Sequence, residues 1–181
     1  MRVIAGDYKG RKLNTPAWEG VRPTSDKLRE TLFNIVAPRI AGARVLDGYA
    51  GTGAIGIEAL SRGAAHVTFV DRDRRATALI ESNLALCGIE RGYTIQCGDI
   101  ASALARTHGA AEFDLILLDP PYDADPDTVT EVLEAAAARL TGDGLLVLER
   151  ATRQEPGVPH TVQRVRDVTS GDSTLTLFTR P

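Results

Sequence analysis

Ala43-Arg44-Val45-Leu46-Asp47-Gly48-Tyr49-Ala50-Gly51-Thr52-Gly53-Ala54-Ile55-Gly56 is an apolar run that ends on an acid, enters a glycine-rich turn and continues into an apolar segment. Residues 43–47 read as a buried strand and 52–61 as the helix after it, with Gly63 just past the helix end. Gly51, Gly53 and Gly56 satisfy G-x-G-x-x-G, and Asp71 follows Gly51 by 20 positions. Such glycines let the backbone turn tightly and approach a ligand, and an acid after the second strand can accept from ribose hydroxyls.

The pattern repeats along the chain. Strands are predicted over 66–71, 93–97, 113–118 and 145–149. Helices are predicted over 74–86, 100–106 and 128–140, with Gly88 and Gly142 past the ends of the first and last. Strands and helices alternating at these lengths predict an α/β fold with a doubly wound, mostly parallel sheet covered on both faces. Residues 161–168 and 174–178 alternate around Gly171-Asp172 and predict a C-terminal antiparallel hairpin. At the other end, residues 2–5 and 11–13 flank a turn-rich segment and predict a small β-hairpin. A helix follows, with Thr24 or Ser25 as N-cap, Leu28, Leu32, Ile35 and Val36 facing the core, and Pro38 ending it. Two units are expected, residues 1–42 and residues 43–181.

Composition narrows the class. At 181 residues, 43% hydrophobic and 25% charged, the chain has the make-up of a soluble globular protein. No apolar run reaches the roughly 18 residues of a membrane span, and the first residues turn polar at once, unlike a secretory signal. Cys87 and Cys97 lack metal-ligand spacing and read as apolar fillers in a cytoplasmic chain. The net charge of −3 hides an asymmetry. Residues 1–44 carry nine Lys and Arg against four Asp and Glu, a net +5, whereas residues 45–181 carry twelve against twenty, a net −8. A basic arm on an acidic body suits a bound polyanion or, alternatively, a solvated charged face. Lys9, Arg11 and Lys12 cluster beside Tyr8, and Arg22, Lys27 and Arg29 are expected along the entrance and outer face of the first helix.

The chemistry centres on Asp119-Pro120-Pro121-Tyr122, which follows the apolar strand 113–118. Two prolines cannot donate ladder hydrogen bonds and stiffen the turn. The turn offers a carboxylate, bare carbonyls and a ring at the carboxyl end of a strand, the edge where open α/β sheets bind ligands. Acceptors beside a stacking ring suit a flat base bearing an amino group. Asp47, Asp71, Asp99 and Asp119 fall at four strand ends and predict a carboxylate-lined cleft. Asp47 is expected to point into the nucleotide site, where it repels a pyrophosphate and attracts a cation such as a sulfonium. The G-x-G-x-x-G spacing with Asp71 also fits a nicotinamide-dependent oxidoreductase, a second reading. A non-catalytic RNA-binding protein is a third, opposed by the intact acid-Pro-Pro-Tyr turn.

The set resembles the Rossmann-like S-adenosylmethionine-dependent methyltransferases. Further segments, Arg2-Val3-Ile4-Ala5-Gly6, Lys9-Gly10-Arg11-Lys12-Leu13, Arg22 through Glu30, Leu32-Phe33-Asn34 and Ala59-Leu60-Ser61-Arg62-Gly63-Ala64, make the resemblance narrower. They look like the bacterial 16S rRNA guanine-N2 methyltransferases of the RsmD type, over roughly residues 2 to 150. The resemblance implies methyl transfer from S-adenosylmethionine to the exocyclic N2 of a guanine, guanine 966 of 16S rRNA, in the cytoplasm. It makes residues 43–181 the methyltransferase domain and 1–42 an RNA-binding extension.

Around the cofactor it places Asp47, Gly51 and Gly53 at the methionine part, Asp71 at the ribose and Asp99 at the adenine. Tyr49, Ala50, Arg72, Ile100 and Asp119 complete the expected cofactor set. Asp119, Pro120, Pro121 and Tyr122 form the expected catalytic set at the target guanine. Lys9, Arg11, Lys12, Arg22, Lys27 and Arg29 are expected to grip the rRNA or the assembling small subunit. No metal and no membrane are called for, and a monomer is expected. Adenine N6 in DNA is the nearest alternative target, since that chemistry also uses an acid-Pro-Pro-aromatic turn. Two departures stand out: Gly48 where the family has a larger apolar residue, expected to loosen the pocket wall, and Ser170 where an aromatic is expected, which weakens any RNA-stacking role for the last hairpin.

Overall fold

The computed structural model of the chain describes residues 1–16, 18, 26–106 and 112–181. Among the described residues, five helices and seven strands follow one another as α1 (Asp26–Ile40), β1 (Arg44–Gly48), α2 (Ala54–Ser61), β2 (His66–Asp71), α3 (Arg74–Cys87), β3 (Tyr93–Cys97), α4 (Ile100–Arg106), β4 (Phe113–Leu118), α5 (Pro126–Arg139), β5 (Leu140–Ala151), β6 (Gln163–Ser170) and β7 (Ser173–Thr179). One seven-stranded sheet has the order β3-β2-β1-β4-β5-β7-β6. The first five strands are parallel; β7 runs antiparallel to both β5 and β6. The doubly wound sheet and the closing hairpin are as the sequence predicts.

Alternation along the strands divides the core into two layers. Val45, Val67, Phe69, Leu115, Leu117 and Val147 pack with Phe33 and Val36 of α1, Ile57 of α2 and Ile80 and Leu84 of α3. Leu46, Val70, Ile116, Leu118, Leu146 and Leu148 pack with Leu104 of α4 and Leu133 and Ala136 of α5. Val3 and Leu13 of the N-terminal segment belong to the first layer. That segment closes through backbone bonds from Val3 to the Arg11 carbonyl and from Gly10 to the Val3 carbonyl, but only Arg2 and Lys12 pair as a bridge, so the expected hairpin is a single rung.

Several boundaries differ from expectation. Pro38 does not stop α1, which runs on to Ile40. Ile40 is buried while Pro38 and Asn34, whose carbonyl loses the N–H that proline lacks, are exposed, so core burial carries the last turn past the break. The expected N-caps Thr24 and Ser25 lie outside the described residues. Gly142 is not a helix terminator: α5 ends at Arg139, and Leu140 turns straight into extended conformation (φ −78°, ψ 136°). Leu140 pairs with Phe113, and a bulge separates that pair from Leu115–Leu145. The early start of β5 gives buried Leu140 a ladder partner that a glycine cap would forfeit.

Candidate active site

The parallel order β3-β2-β1-β4 brings the carboxyl ends of four strands side by side, with the order reversing between β1 and β4. Asp71 ends β2 and Asp47 is the next-to-last residue of β1, while Asp99 and Asp119 lie just past β3 and β4. The four predicted acids therefore share one edge at the topological switch point.

Local needs decide how each carboxylate is used. Asp47 is 1% exposed and accepts the Gly56 N–H at 2.8 Å. The expectation that it opens into the nucleotide site is corrected: it sits beneath the glycine loop, because the unpaired N–H groups of the first turn of α2 require an acceptor. Burial pushes its acid well above the usual carboxylate range; the Gly56 bond opposes this and the charges of Asp119 and Asp71 add to it. Asp71 is half-buried and accepts from Gly51 at 2.8 Å and Asp73 at 2.9 Å, fastening the glycine loop to the end of β2. Asp99 is exposed and accepts the Ser102 N–H at 3.0 Å at the start of α4. Asp119 is half-buried, with its N–H directed to the Gly48 carbonyl at 3.4 Å.

The loop itself is tightly wound. Gly51 (φ 54°) and Gly53 (φ 75°) occupy the left-handed region, and so does Tyr49 (φ 62°). A tyrosine held there is strained, and such strain gathers at ligand sites. Burial and the charge of Asp99 raise the Tyr49 hydroxyl to about 12, with Arg72 opposing; Tyr49 packs against the layer that holds Leu46, Val70 and Ile100. Ala50 is buried and Arg72 exposed. Gly48 is not a loosened wall. A Cβ there would meet Leu118 Cδ2 at 2.7 Å and Ile100 Cδ1 at 3.1 Å, so those side chains already fill the space.

In the acid-Pro-Pro-Tyr turn, Pro120 is buried, Pro121 exposed and Tyr122 half-buried. The Tyr122 hydroxyl lies 2.6 Å from Ser173 Oγ and donates to Glu149 Oε1 at 3.4 Å. Behind the turn, a cavity of about 40 Å³ is lined by Pro120, Pro121, Leu148, Glu149, Gln154 and Pro156, among others.

The basic residues separate. Lys9, Arg11, Lys12 and Lys27 are exposed, and the Arg11 guanidinium stands 5.9 Å from the centre of the Tyr8 ring. Arg22 lies outside the described residues. Arg29 is corrected: it is fully buried, donating to the Arg2 carbonyl and to Asp26, each at 2.8 Å. It shares the helical stripe of Leu32, Phe33 and Val36, so α1 turns it inward.

Sequence reasoning did not assign the residues that seat the arm. Glu58, fully buried, accepts from Ile4 (2.7 Å), Ala5 (3.0 Å) and Arg62 (2.7 Å). Ser61 accepts the Tyr8 N–H at 3.0 Å and donates to the Ala5 carbonyl. Asn83 accepts from Asn14 (2.8 Å) and donates to the carbonyls of Asn14 (3.2 Å) and Thr52 (2.9 Å). The one available signal was Ser61 and Arg62 within the quoted segment 59–64.

This sheet order, with a glycine loop after β1 and acids along one edge, defines a Rossmann-like methyltransferase, and comparison with known proteins agrees. The chain belongs to the family described as Conserved hypothetical protein 95, whose model matches residues 1–179. YlbH of Bacillus subtilis is 40% identical over 166 residues, 90% of this chain and 88% of that one. The ribosomal RNA small subunit methyltransferase D of Escherichia coli K12 is 40% identical over 122 residues, 67% of this chain and 60% of that enzyme. The solved structure of Escherichia coli yhhF superposes with a TM-score of 0.85 at 34% identity, covering 99% of this chain and 97% of that one.

Proposed function

We propose that this methyltransferase moves the methyl group of S-adenosylmethionine to the exocyclic N2 of a guanine in 16S rRNA, with guanine 966 as the specific target. The observation that carries the reading is the cluster of Asp47, Asp71, Asp99 and Asp119 at one sheet edge, bounded by the left-handed glycine loop and the Pro-Pro-Tyr turn. Relatives named ribosomal RNA small subunit methyltransferase D support the substrate class.

The donor set fits this cofactor. Burial is the main cause of the raised Asp47 acid, and the charges of Asp119 and Asp71 add to it; a sulfonium cation at this edge would relieve that repulsion and a pyrophosphate would aggravate it. The cofactor supplies an electrophilic methyl on a positively charged sulfur. Tyr49, Ala50, Gly51 and Gly53 would hold its methionine part, with the buried Asp47 acting from beneath the loop through its charge; Asp71 and Arg72 would hold its ribose, and Asp99 and Ile100 its adenine.

The guanine N2 lone pair is delocalised into the ring and is a poor nucleophile. Asp119 and the Pro120 carbonyl accept its two hydrogens, which favours a pyramidal nitrogen with its lone pair directed at the methyl group. The Tyr122 ring stacks on the base and sets its plane. Once the methyl group is on N2, Asp119 or water would take the proton that leaves it. Acceleration comes chiefly from orientation and charge placement. A paired guanine has to leave its helix first. Residues 1–42 act as the RNA-binding extension, with Lys9, Arg11, Lys12 and Lys27 on phosphates and Arg22 in the same role.

The test is methylation of small subunits from a strain lacking the gene, using labelled cofactor and nucleoside analysis. N2-methylguanosine at one position supports the reading. Label in DNA adenine, or no label with tight NAD binding, overturns it.

A further inference from the structure

The C-terminal hairpin and the segment joining it to β5 have no part in the chemistry just described, yet each touches the stacking residue. At the far end of the ring, the Tyr122 hydroxyl shares a 2.6 Å hydrogen bond with Ser173 Oγ, and Glu149 lies beyond it at 3.4 Å. At the backbone end, the Gln154 side-chain amide donates to the Tyr122 carbonyl. Ser173 and Glu149 are only 5% and 7% exposed. Ser173 begins β7 and pairs with Ala151 of β5 and Ser170 of β6, so its position is set by two ladders. Gln154 lies in the turn after β5, with its own N–H bonded to the carbonyl of Ala151, the strand's last residue, at 2.9 Å.

A tyrosine ring has two side-chain torsions, and stacking alone leaves it free to tilt. A tilted ring tilts the base, and hydrogen bonds weaken steeply as their angle closes. The bonds from the target amine to Asp119 and the Pro120 carbonyl then suffer although neither acceptor has moved. Building on the function proposed above, we propose that Ser173 and Gln154 are positioning residues for the target base: they clamp Tyr122 from opposite ends and so fix the plane in which the guanine amine meets Asp119. The sheet extension β5–β7–β6 is thereby the back wall of the target site.

The test has two arms on the full chain. Urea unfolding of wild type, Ser173→Ala, Tyr122→Phe and the double variant reads the bond without any substrate; the clamp requires the double variant to be less destabilised than the sum of the singles. Single-turnover methylation with saturating cofactor reads the role. Ser173→Ala is expected to lower the rate about 2–10-fold, the worth of one hydrogen bond, with cofactor Kd and rRNA KM within about twofold of wild type. Tyr122→Phe is expected to lower it equally, the pair no further than either alone, and Ser173→Thr to recover the rate. Gln154→Ala, at an exposed position, gives a second reading that does not depend on core packing. Wild-type rates in both Ser173→Ala and Gln154→Ala overturn the clamp, as do rate losses that multiply in the double variant. If wild type methylates no rRNA while Ser173 and Tyr122 still couple in unfolding, the function reading fails and the bond stands; the positioning role falls with that reading.

Discussion

The Asp71 carboxylate accepts the Gly51 N–H at 2.8 Å, so the acid proposed to hold the ribose also shapes the loop proposed to carry the methionine part. Asp71→Ala removes both contributions. Loss of charge-assisted bonds costs about 1.5–3 kcal/mol, so S-adenosylmethionine affinity is expected to fall by one to two decades, roughly. Asp71→Asn keeps one acceptor for Gly51 and is expected to lose less. Calorimetric titration checks both and, with NAD in parallel, is expected to show far weaker binding of the dinucleotide. An unchanged Kd in folded Asp71→Ala removes Asp71 from the site.

Asp47 links stability to pH. Its folded acid is raised, chiefly by burial and further by Asp119 and Asp71, against the Gly56 bond. The folded chain therefore holds this proton more tightly than the unfolded chain. The resulting stability is full below the ordinary aspartate range and is lost as pH rises through the elevated folded value. Above the ordinary aspartate range the buried carboxyl is therefore a net cost to the chain alone. Asp47→Asn, which still accepts from Gly56, is expected to raise Tm at neutral pH, with the gain shrinking in acid, and to weaken S-adenosylmethionine binding. Thermal melts across pH with and without cofactor check both signs; a lower Tm for Asp47→Asn at every pH rejects the argument.

The fold was legible because its signals are local. Apolar runs such as 113–118, Gly63 and Gly88 past helix ends, and acids after strands follow from neighbours in sequence. What was hidden depends on distant partners. Glu58 looks like a surface charge between Ile57 and Ala59, and its burial rests on N–H groups 53 and 54 positions away. Arg29 falls on the apolar stripe of α1, and its burial there rests on the Arg2 carbonyl, 27 positions away, together with Asp26. Tyr122 read as a stacking ring, whereas its tie to Ser173 spans 51 positions and depends on β7 lying between β5 and β6.

Glu58 is expected to govern whether the arm stays docked. Removing a buried charge while leaving its partners costs about 3–5 kcal/mol, so Glu58→Ala is expected to melt earlier and to expose residues 1–16 to proteolysis. Glu58→Gln retains an acceptor and is expected to fall between. Cleavage time courses with N-terminal sequencing check this; an arm as resistant in Glu58→Ala as in wild type means that other contacts hold it.

Burial divides the basic residues into two groups with different readouts. Neutralising Lys9, Arg11 and Lys12, all exposed, is expected to weaken rRNA binding and to reduce its salt slope by about 0.7–0.9 for each phosphate no longer neutralised. Arg29→Met is expected to lower stability and leave that slope alone, since Arg29 is fully buried. Filter binding over a salt series separates them. A triple variant with wild-type affinity and slope makes the arm a solvated face.

Asp119 separates catalysis from binding. It is held at the cleft by β4 before it and two prolines after it, and its N–H faces the Gly48 carbonyl. The proposed cofactor contacts come mainly from the glycine loop, Asp71 and Asp99, so Asp119→Ala is expected to leave S-adenosylmethionine affinity nearly unchanged. Methyl transfer is expected to slow by about 10²–10³, the usual loss for one well-placed electrostatic partner. Asp119→Asn keeps one acceptor oxygen and is expected to retain more activity. Tyr122→Ala, which removes the ring, is expected to be severe, and Tyr122→Phe far milder, since it keeps the ring and removes the hydroxyl with its ties to Ser173 and Glu149. Single-turnover rates with prebound cofactor and rRNA check the order. Near-wild-type turnover in folded Asp119→Ala makes the acid-Pro-Pro-Tyr turn a strand terminator and moves the chemistry elsewhere along the sheet edge.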